Sequence, residues 1–465
     1  MNKYGVSFTS ILAINIAAFA SMTVANDRPP LSPNPRYEEN YQFLADPSKR
    51  TDFYDSIKYI PLGNDPTTYL SFGGEIRERF DGFLKNPLLG TNHLSSDNYF
   101  LHRSLVHADL HVSEYFRGFF QFGYHEVWGK SSPVTSLDRD NFDVQQAFAE
   151  VNLPLQDREK LGLRVGRQEM LLGSERLVSS REGPNIRRSF DALRAIYSRG
   201  AYNFTGFVTH PVDVKEGVLD DAPDYKQAFF GVYGTAPITK NVNTDLYYLG
   251  FNRDGAIFSQ GIADEKRHSV GTRLWGESLG FDYNFEAVYQ FGTFGQDDIT
   301  AWTLASDSGY SFTDVLLQPR IGLKADIASG DKNNNDKELN TFNALFPKGA
   351  YFTQNALIGP ANFIDLQPNI TVIPRQNISV NFGADILWRE NTNDAIYRQP
   401  NIAFVGTAGK GGQYSGTQWF ILTTWQIDRH ASITVTYVHF AVGDAIKSVG
   451  GGDSDYVSSW MTYRF

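Results

Sequence analysis

The stretch Tyr69–Asp81, YLSFGGEIRERFD, decides the fold. In it Leu70, Phe72, Gly74, Ile76 and Phe80 alternate with Ser71, Gly73, Glu75, Arg77, Arg79 and Asp81. Successive side chains of a strand point to opposite faces, so one face here is apolar and the other ionic. Glu78 interrupts the alternation, as expected of a residue near a membrane rim. The pattern recurs outward from this stretch. Val106, Ala108 and Leu110 oppose Arg103, His107, Asp109 and His111; Phe116, Phe120, Phe122 and Tyr124 oppose Arg117, Gln121 and His125. Phe281, Tyr283, Phe285, Tyr289 and Phe291 alternate with Asp282, Asn284, Glu286 and Gln290. Ile321, Leu323 and Ile327 alternate with Arg320, Lys324 and Asp326, and Ile378, Val380, Phe382, Ile386 and Trp388 with Asn377, Asn381, Asp385 and Arg389.

A soluble sandwich alternates too, but its strands average about 5–6 residues. These run to roughly 10–15, and their wet faces are ionic on strand after strand, as in outer-membrane barrels. An arginine facing lipid at mid-membrane costs about 2–4 kcal/mol, so the charged face is assigned to the lumen. The sequence therefore predicts an all-β protein: a transmembrane antiparallel up-and-down β-barrel of about 18 strands. Short periplasmic turns are expected at Ser113-Glu114, Arg199-Gly200, Glu277–Leu279, Arg375-Gln376 and Asp428-Arg429. Long extracellular loops are expected at Leu84–Asp97, Gly129–Asp140, Leu171–Ser189, Pro211–Lys226, Arg253–Glu265, Gly330–Asp365, Asn391–Gln413 and Asp444–Ser454. Phe312–Leu316 and Asn401–Tyr414 read ambiguously between strand and loop. The last strand, Tyr456–Phe465, ends on an aromatic residue, the usual end of a chain inserted by the barrel-assembly machinery.

Composition agrees. The 465-residue chain has a formal net charge of -10, a poor match to nucleic acid. It has no cysteine, which excludes disulfides and thiolate metal sites. Mean hydropathy is -0.34, so a bundle of transmembrane helices is not expected. Residues 1–25 read as a secretory signal peptide, with Lys3, an apolar run from Ile11 to Met22 and a small-residue cleavage site at Thr23-Val24-Ala25. Residues 26–67 read as a proline-rich periplasmic segment with at most a short helix around Tyr37–Leu44, either folded over the inner mouth of a pore or a loosely ordered terminus. Residues 68–465 form the barrel. The expected location is the outer membrane of a Gram-negative bacterium, in contact with lipid and lipopolysaccharide, as a monomer.

Between two strands lies a basic island, Leu161–Tyr197, with seven arginines against four acids. A barrel of 16–18 strands is wide enough for an aqueous channel. The long connection Leu171–Ser189 is exterior by parity and is expected to fold inward. Its Arg176, Arg181, Arg187 and Arg188, with Arg77, Arg79, Arg103, Arg117, Arg164 and Arg194 on strands, would then form a positive constriction, and rings of Arg or Lys select anions. Arg167, Arg320, Lys324 and Arg389 complete the candidate conduit. The lumen acids Glu75, Asp81, Asp109, Glu150, Asp282, Glu286, Asp326 and Asp385 supply the opposing reading, in which arginines are paired across the wall to brace it. On that reading an excess survives in the cluster 176–188.

Several stretches resemble the alginate export family of outer-membrane secretion porins. They are DPSKRTDFYDSIKYIPLG (Asp46–Gly63), FGGEIRERFD (Phe72–Asp81), LRVGRQEMLLGSERLVSSREGPNIRRSFDALR (Leu163–Arg194), YQFGTFG (Tyr289–Gly295), PRIGLKADIASGD (Pro319–Asp331) and LFPKGAYF (Leu345–Phe352). The resemblance implies an 18-stranded barrel with an arginine-rich lumen that passes a polyanion such as alginate. It also implies periplasmic export partners. Within it the arginines of Phe72–Asp81 and Leu163–Arg194 would line the conduit.

Other chemistry finds less support. His107, Asp109, His111 and His125 fall on adjacent strands, but Ser104 is on the wrong face to be their nucleophile, and no enzyme activity or cofactor is expected. Asp331–Asp336, DKNNND, resembles the start of a calcium loop, yet Asp336 replaces the glycine and Phe342 the terminal acid, so a solvated exterior loop is expected and no metal set is assigned. Three functions remain open: passive export of an anionic polysaccharide, general uptake of small organic anions or sugars, and a structural or adhesion barrel with a plugged lumen.

Overall fold

The computed structural model describes residues 35–90, 94–156, 159–399 and 401–465; the expected signal segment 1–25 lies outside them. Eighteen long strands form the wall. They are β1 Tyr69–Lys85, β2 Asp97–Val112, β3 Phe116–Trp128, β4 Asp140–Pro154, β5 Glu159–Gln168, β6 Phe190–Arg199, β7 Tyr202–Asp213, β8 Gln227–Thr239 and β9 Val242–Phe258 in the first half. The second half holds β10 Gly261–Ser278, β11 Phe281–Phe294, β12 Asp297–Ser311, β13 Arg320–Ala328, β14 Phe363–Arg375, β15 Ile378–Trp388, β16 Tyr414–Gln426, β17 Ala431–Val442 and β18 Ser454–Arg464. Each pairs antiparallel with its neighbour in sequence. β1 then pairs with β18, from Glu75↔Arg464 to Lys85↔Asp455, so no edge is left in the ring.

The two faces divide as the alternation predicts. Phe72, Ile76, Val106, Phe120, Phe285, Tyr289, Ile321 and Phe382 are exposed on the outside, while Glu75, Arg77, Arg79 and Arg103 are buried inside. Glu78 does face outward, and it is not alone there. His102 Nδ1 lies 2.6 Å from its carboxylate, and the His102 ring neighbours Tyr124 and Trp128. A carboxylate paired with imidazole beside Tyr and Trp suits the headgroup level, where aromatic girdles sit.

Two expectations change, and the two ambiguous stretches resolve. Arg253–Glu265 is not a long loop. β9 and β10 run on to Phe258 and from Gly261, with a register shift between Arg253 and Ala256 and Gly255 in the left-handed region (φ 61°). That bulge broke the alternation that would have revealed the strands. Phe312–Leu316 belongs to a turn, and Asn401–Tyr414 to a loop that carries the small hairpin Tyr397–Arg398 with Ile402–Ala403. Around Tyr37–Leu44, where at most a short helix is expected, there are two 3₁₀ turns, Arg36–Glu38 and Gln42–Ala45. Loop 330–338 is not fully solvated: Asp331 is 0% exposed, and its N–H donates to Asp394 at 2.9 Å.

The lumen holds a core of its own. Loops 169–189 and 329–362 fold inward and join along Val178↔Phe346, with N–H bonds from Phe346 to Leu177 O (2.8 Å), from Ser179 to Phe346 O (2.9 Å) and from Lys348 to Glu175 O (3.1 Å). Val178, Phe346, Phe352, Leu357 and Ile358 of these loops pack on inward-facing Phe190, Phe207, Phe229 and Phe251 of the wall. Polar residues of β10 and β11 pin the second loop: Arg267 donates to Thr341 O, and Gln290 to Asn343 O.

Candidate functional site

The candidate conduit is bounded by these two loops, the ionic inner wall and the N-terminal segment. The segment enters at the short-turn end of the barrel, where the Ser113 N–H donates to Thr68 Oγ1 at 2.9 Å. Arg36 donates to Gly74 O and Phe465 O at the seam of β1 and β18 (2.8 and 3.0 Å). Tyr37 packs edge-on to Phe119 and Phe148, and its hydroxyl donates to Glu169 O at 3.0 Å, at the root of loop 169–189. Glu38 keeps part of its surface open to solvent, while desolvation at the segment's packing raises its carboxyl pKa against the pull of Arg164, Arg194 and Arg117.

Most of the arginines picked out in the sequence are committed to partners. Glu75, 1% exposed, receives Arg103 (2.6 Å), Arg464 (2.8 Å) and Arg187 (3.3 Å). Glu182, at the tip of loop 169–189, joins Arg103 and Arg187 at 2.5 Å each. Arg77 holds the same tip through Glu182 O and Pro184 O (2.9 and 2.8 Å), and Arg79 through Gly183 O (2.7 Å) while also bonding Asp81. The basic strands thus fix the shape of the inward loop. A buried guanidinium is tolerable only with such charge and hydrogen-bond partners.

Elsewhere the pairing is local. Arg117 grips Asp109 with two bonds, Arg164 meets Glu150 at 2.5 Å between the rings of Tyr37 and Phe148, and Arg167 meets Asp191 at 3.0 Å. Arg176 reaches Glu286 (2.9 Å) and Asn284, Arg194 makes a 3.4 Å bond to Gln168, and Arg320 pairs with Asp282. Lys324 donates to Tyr351 O and lies 3.5 Å from Asp326. Arg389 is 0% exposed and donates to the carbonyls of Thr392, Asp394, Thr407, Lys410, Gly411 and Gly412. It organises loop 389–413 and does not face the conduit, because six carbonyls already surround it.

Within the inward loop 169–189, two arginines differ. Among the described residues, Arg181 and Arg188 have no carboxylate partner. Arg188 lies 4.8 Å over the Phe346 ring, and the Arg181 chain runs alongside Gly349. Lys348 on the facing loop also has no ion pair among the described residues; burial, with Lys324 and Arg176 nearby, pushes its ammonium down to about 8. The excess expected across 176–188 is thus narrowed to Arg181 and Arg188. Lys348 joins them; only the pairing of the two loops brings it close, and no sequence pattern signals that.

The histidines do not form one site. His111 pairs with Asp109, His107 stacks on Phe119, His125 approaches Asp140, and Ser104 points outward to His102.

A family model described as Alginate export matches residues 68–459. No curated protein matches the chain. Among solved structures, OccAB1 of Acinetobacter baumannii matches at 10% identity and TM-score 0.57, over 89% of this chain and 99% of its own. OccK8 (OprE) of Pseudomonas aeruginosa matches at 11% identity and TM-score 0.55, over 85% and 98%. OccD3 (OpdP) of the same organism matches at 9% identity and TM-score 0.57, over 88% and 92%. Identities this low show a shared fold. Family and fold together are those of an outer-membrane channel.

Proposed function

The chain belongs to the alginate export family, and on that premise we propose that it is a passive, anion-selective channel for small carboxylate-bearing solutes, uronates among them. One observation carries this reading. Arg181, Arg188 and Lys348 lie on two joined inward loops without carboxylate partners among the described residues, while Arg176 and Arg187 of the same loop are paired. Unpaired cations beside a low-dielectric wall concentrate anions, and paired ones do not. The apolar core under the loops and Tyr37 at the inner mouth reduce the open section. That favours a small solute in single file over a wide polymer path.

Export of an anionic polysaccharide is the second reading, and the family match favours it. Single-channel conductance of the refolded protein under a salt gradient tests both, with monomeric uronate and polyuronate added in turn. Anion preference with a block by monomeric uronate, lost when Arg181, Arg188 and Lys348 are neutralised, supports the first. A block by polyuronate alone supports the second. Cation preference overturns both, and silence from folded protein indicates a closed lumen.

A further inference from the structure

The N-terminal segment 36–59 lies over a row of charge on the inner face of β3 to β6. In the strand registers Arg117 is across from Glu150, Glu150 from Arg164, and Arg164 from Arg194. Three guanidiniums in this row share two carboxylates: Arg117 turns to Asp109 and Arg164 to Glu150. Arg194 reaches Gln168 at 3.4 Å and no carboxylate among the described residues. Arg164 Nη1 and Arg194 Nε are buried with no hydrogen-bond partner among the described residues. One positive charge is therefore left over on this shelf.

Glu38 of the segment answers that charge. Arg164, Arg194 and Arg117 are the cations that act on its carboxylate, and it has no ion pair among the described residues. The attraction thus works beyond contact distance, where salt weakens it.

The other end of the segment is seated just as loosely. Lys58 Nζ fills the place that a side chain at Gly73 would take and lies 4.9 Å over the Tyr41 ring. Neither Lys58 Nζ nor Nδ1 of the neighbouring His107 has a hydrogen-bond partner among the described residues. Buried polar atoms without partners weaken an interface, because undocking returns them to water. Loop 169–189 is held differently, its tip taking bonds from Arg77, Arg79 and Arg103. Beyond Lys58 the segment is tied to the barrel by the pairing of Ile60 and Pro61 with Leu70 and Tyr69.

We propose that segment 36–59 is a displaceable plug of the inner mouth, latched by the attraction of Glu38 to the shelf of Arg117, Arg164 and Arg194, and that anions reaching this shelf compete with Glu38 and free the plug. Tyr37 is a second latch of another kind: its hydroxyl donates to Glu169 O and ties the plug to the inward loop. The plug rests on the reading above only in that the barrel conducts.

The test is single-channel recording of the full-length refolded barrel in KCl from about 0.1 to 1 M, over which the screening length falls from about 10 to about 3 Å. The readout is the open-to-closed ratio, whichever ion carries the current. In the unaltered chain the ratio is expected to rise with salt. Glu38→Gln should start at least about threefold higher in dilute salt and show little further rise. Tyr37→Phe should raise the ratio and keep the salt response, since the bond it removes is uncharged. Glu114→Gln, which removes an exposed acid from a short turn at the same end, should behave as the unaltered chain. Heat-modifiable gel mobility reports folding of each variant. An unaltered ratio and salt response in Glu38→Gln, the same change from Glu114→Gln, or a ratio that neither salt nor any variant moves would each overturn the plug. A cation-preferring channel with the expected salt response would sink the proposed function and leave the plug standing; an anion-preferring channel without it would do the reverse.

Discussion

Arg187 and Arg188 are adjacent in sequence and opposite in situation. Arg187 lies within reach of Glu182, Glu75 and Glu169. Arg188 rests on the face of Phe346 with no acid in contact among the described residues. The same contrast separates Arg176, bound to Glu286, from Arg181. A count of arginines therefore says little about a lumen's field. Those that meet carboxylates brace the wall or hold the inward loop in place, and on the proposed reading Arg181 and Arg188 are the ones left to act on ions.

The largest effect that would break this contrast belongs to Glu75. Glu75→Gln leaves Arg103, Arg187 and Arg464 facing one another, and losing one member of a buried ionic set costs about 3–5 kcal/mol. A large drop in the thermal midpoint of the detergent-folded barrel is expected; an unchanged midpoint would mean that the network contributes nothing to stability. Next comes Arg389→Ala, which strips six loop carbonyls of their donor. Limited proteolysis within 389–413 should rise sharply while the strands stay resistant.

Two smaller effects belong to the unpaired cations. A charge about 4 Å from a permeating anion is worth about 1 kcal/mol even in bulk-like solvent. The Arg181→Gln/Arg188→Gln pair should therefore lower the anion-to-cation permeability ratio by at least about fivefold, whereas the melting midpoint should move little. The smallest effect concerns Lys348. Its ammonium, pushed down to about 8, loses its proton as pH rises, so anion preference should be present at pH 7 and decline by pH 9. Lys348→Met should flatten that decline and start from the lower value.

Much of the wall was legible because period-two alternation is a local signal. It reads cleanly in β1, β2, β11 and β15, where inner residues such as Glu75, Asp109, Glu286 and Asp385 are ionic. It fails in β7, β8 and β9, where Phe207, Phe229 and Phe251 face inward yet are apolar. The failure carries information: a wet face turns greasy where something docks on it, and there the two inward loops are seated. The conduit was legible only as a set of cations. Which are free depends on pairings over long separations, such as Glu75 with Arg464 and Arg176 with Glu286, that no window of sequence contains.

The unequal strands have a consequence for the outline of the molecule. A membrane crossing needs about 9–11 tilted residues. β13 has 9 and β5 and β6 have 10 each, but β9 and β10 have 17 and 18 and are joined outside by a two-residue turn. At about 3.3 Å per residue and roughly 45° of tilt, that hairpin stands near 40 Å tall against an apolar belt of about 25 Å. The rim is therefore a parapet on one flank and a low sill on others. The long hairpin is a fixed screen between the medium and the inward loops, and it gives the entrance a compass direction within the cell surface.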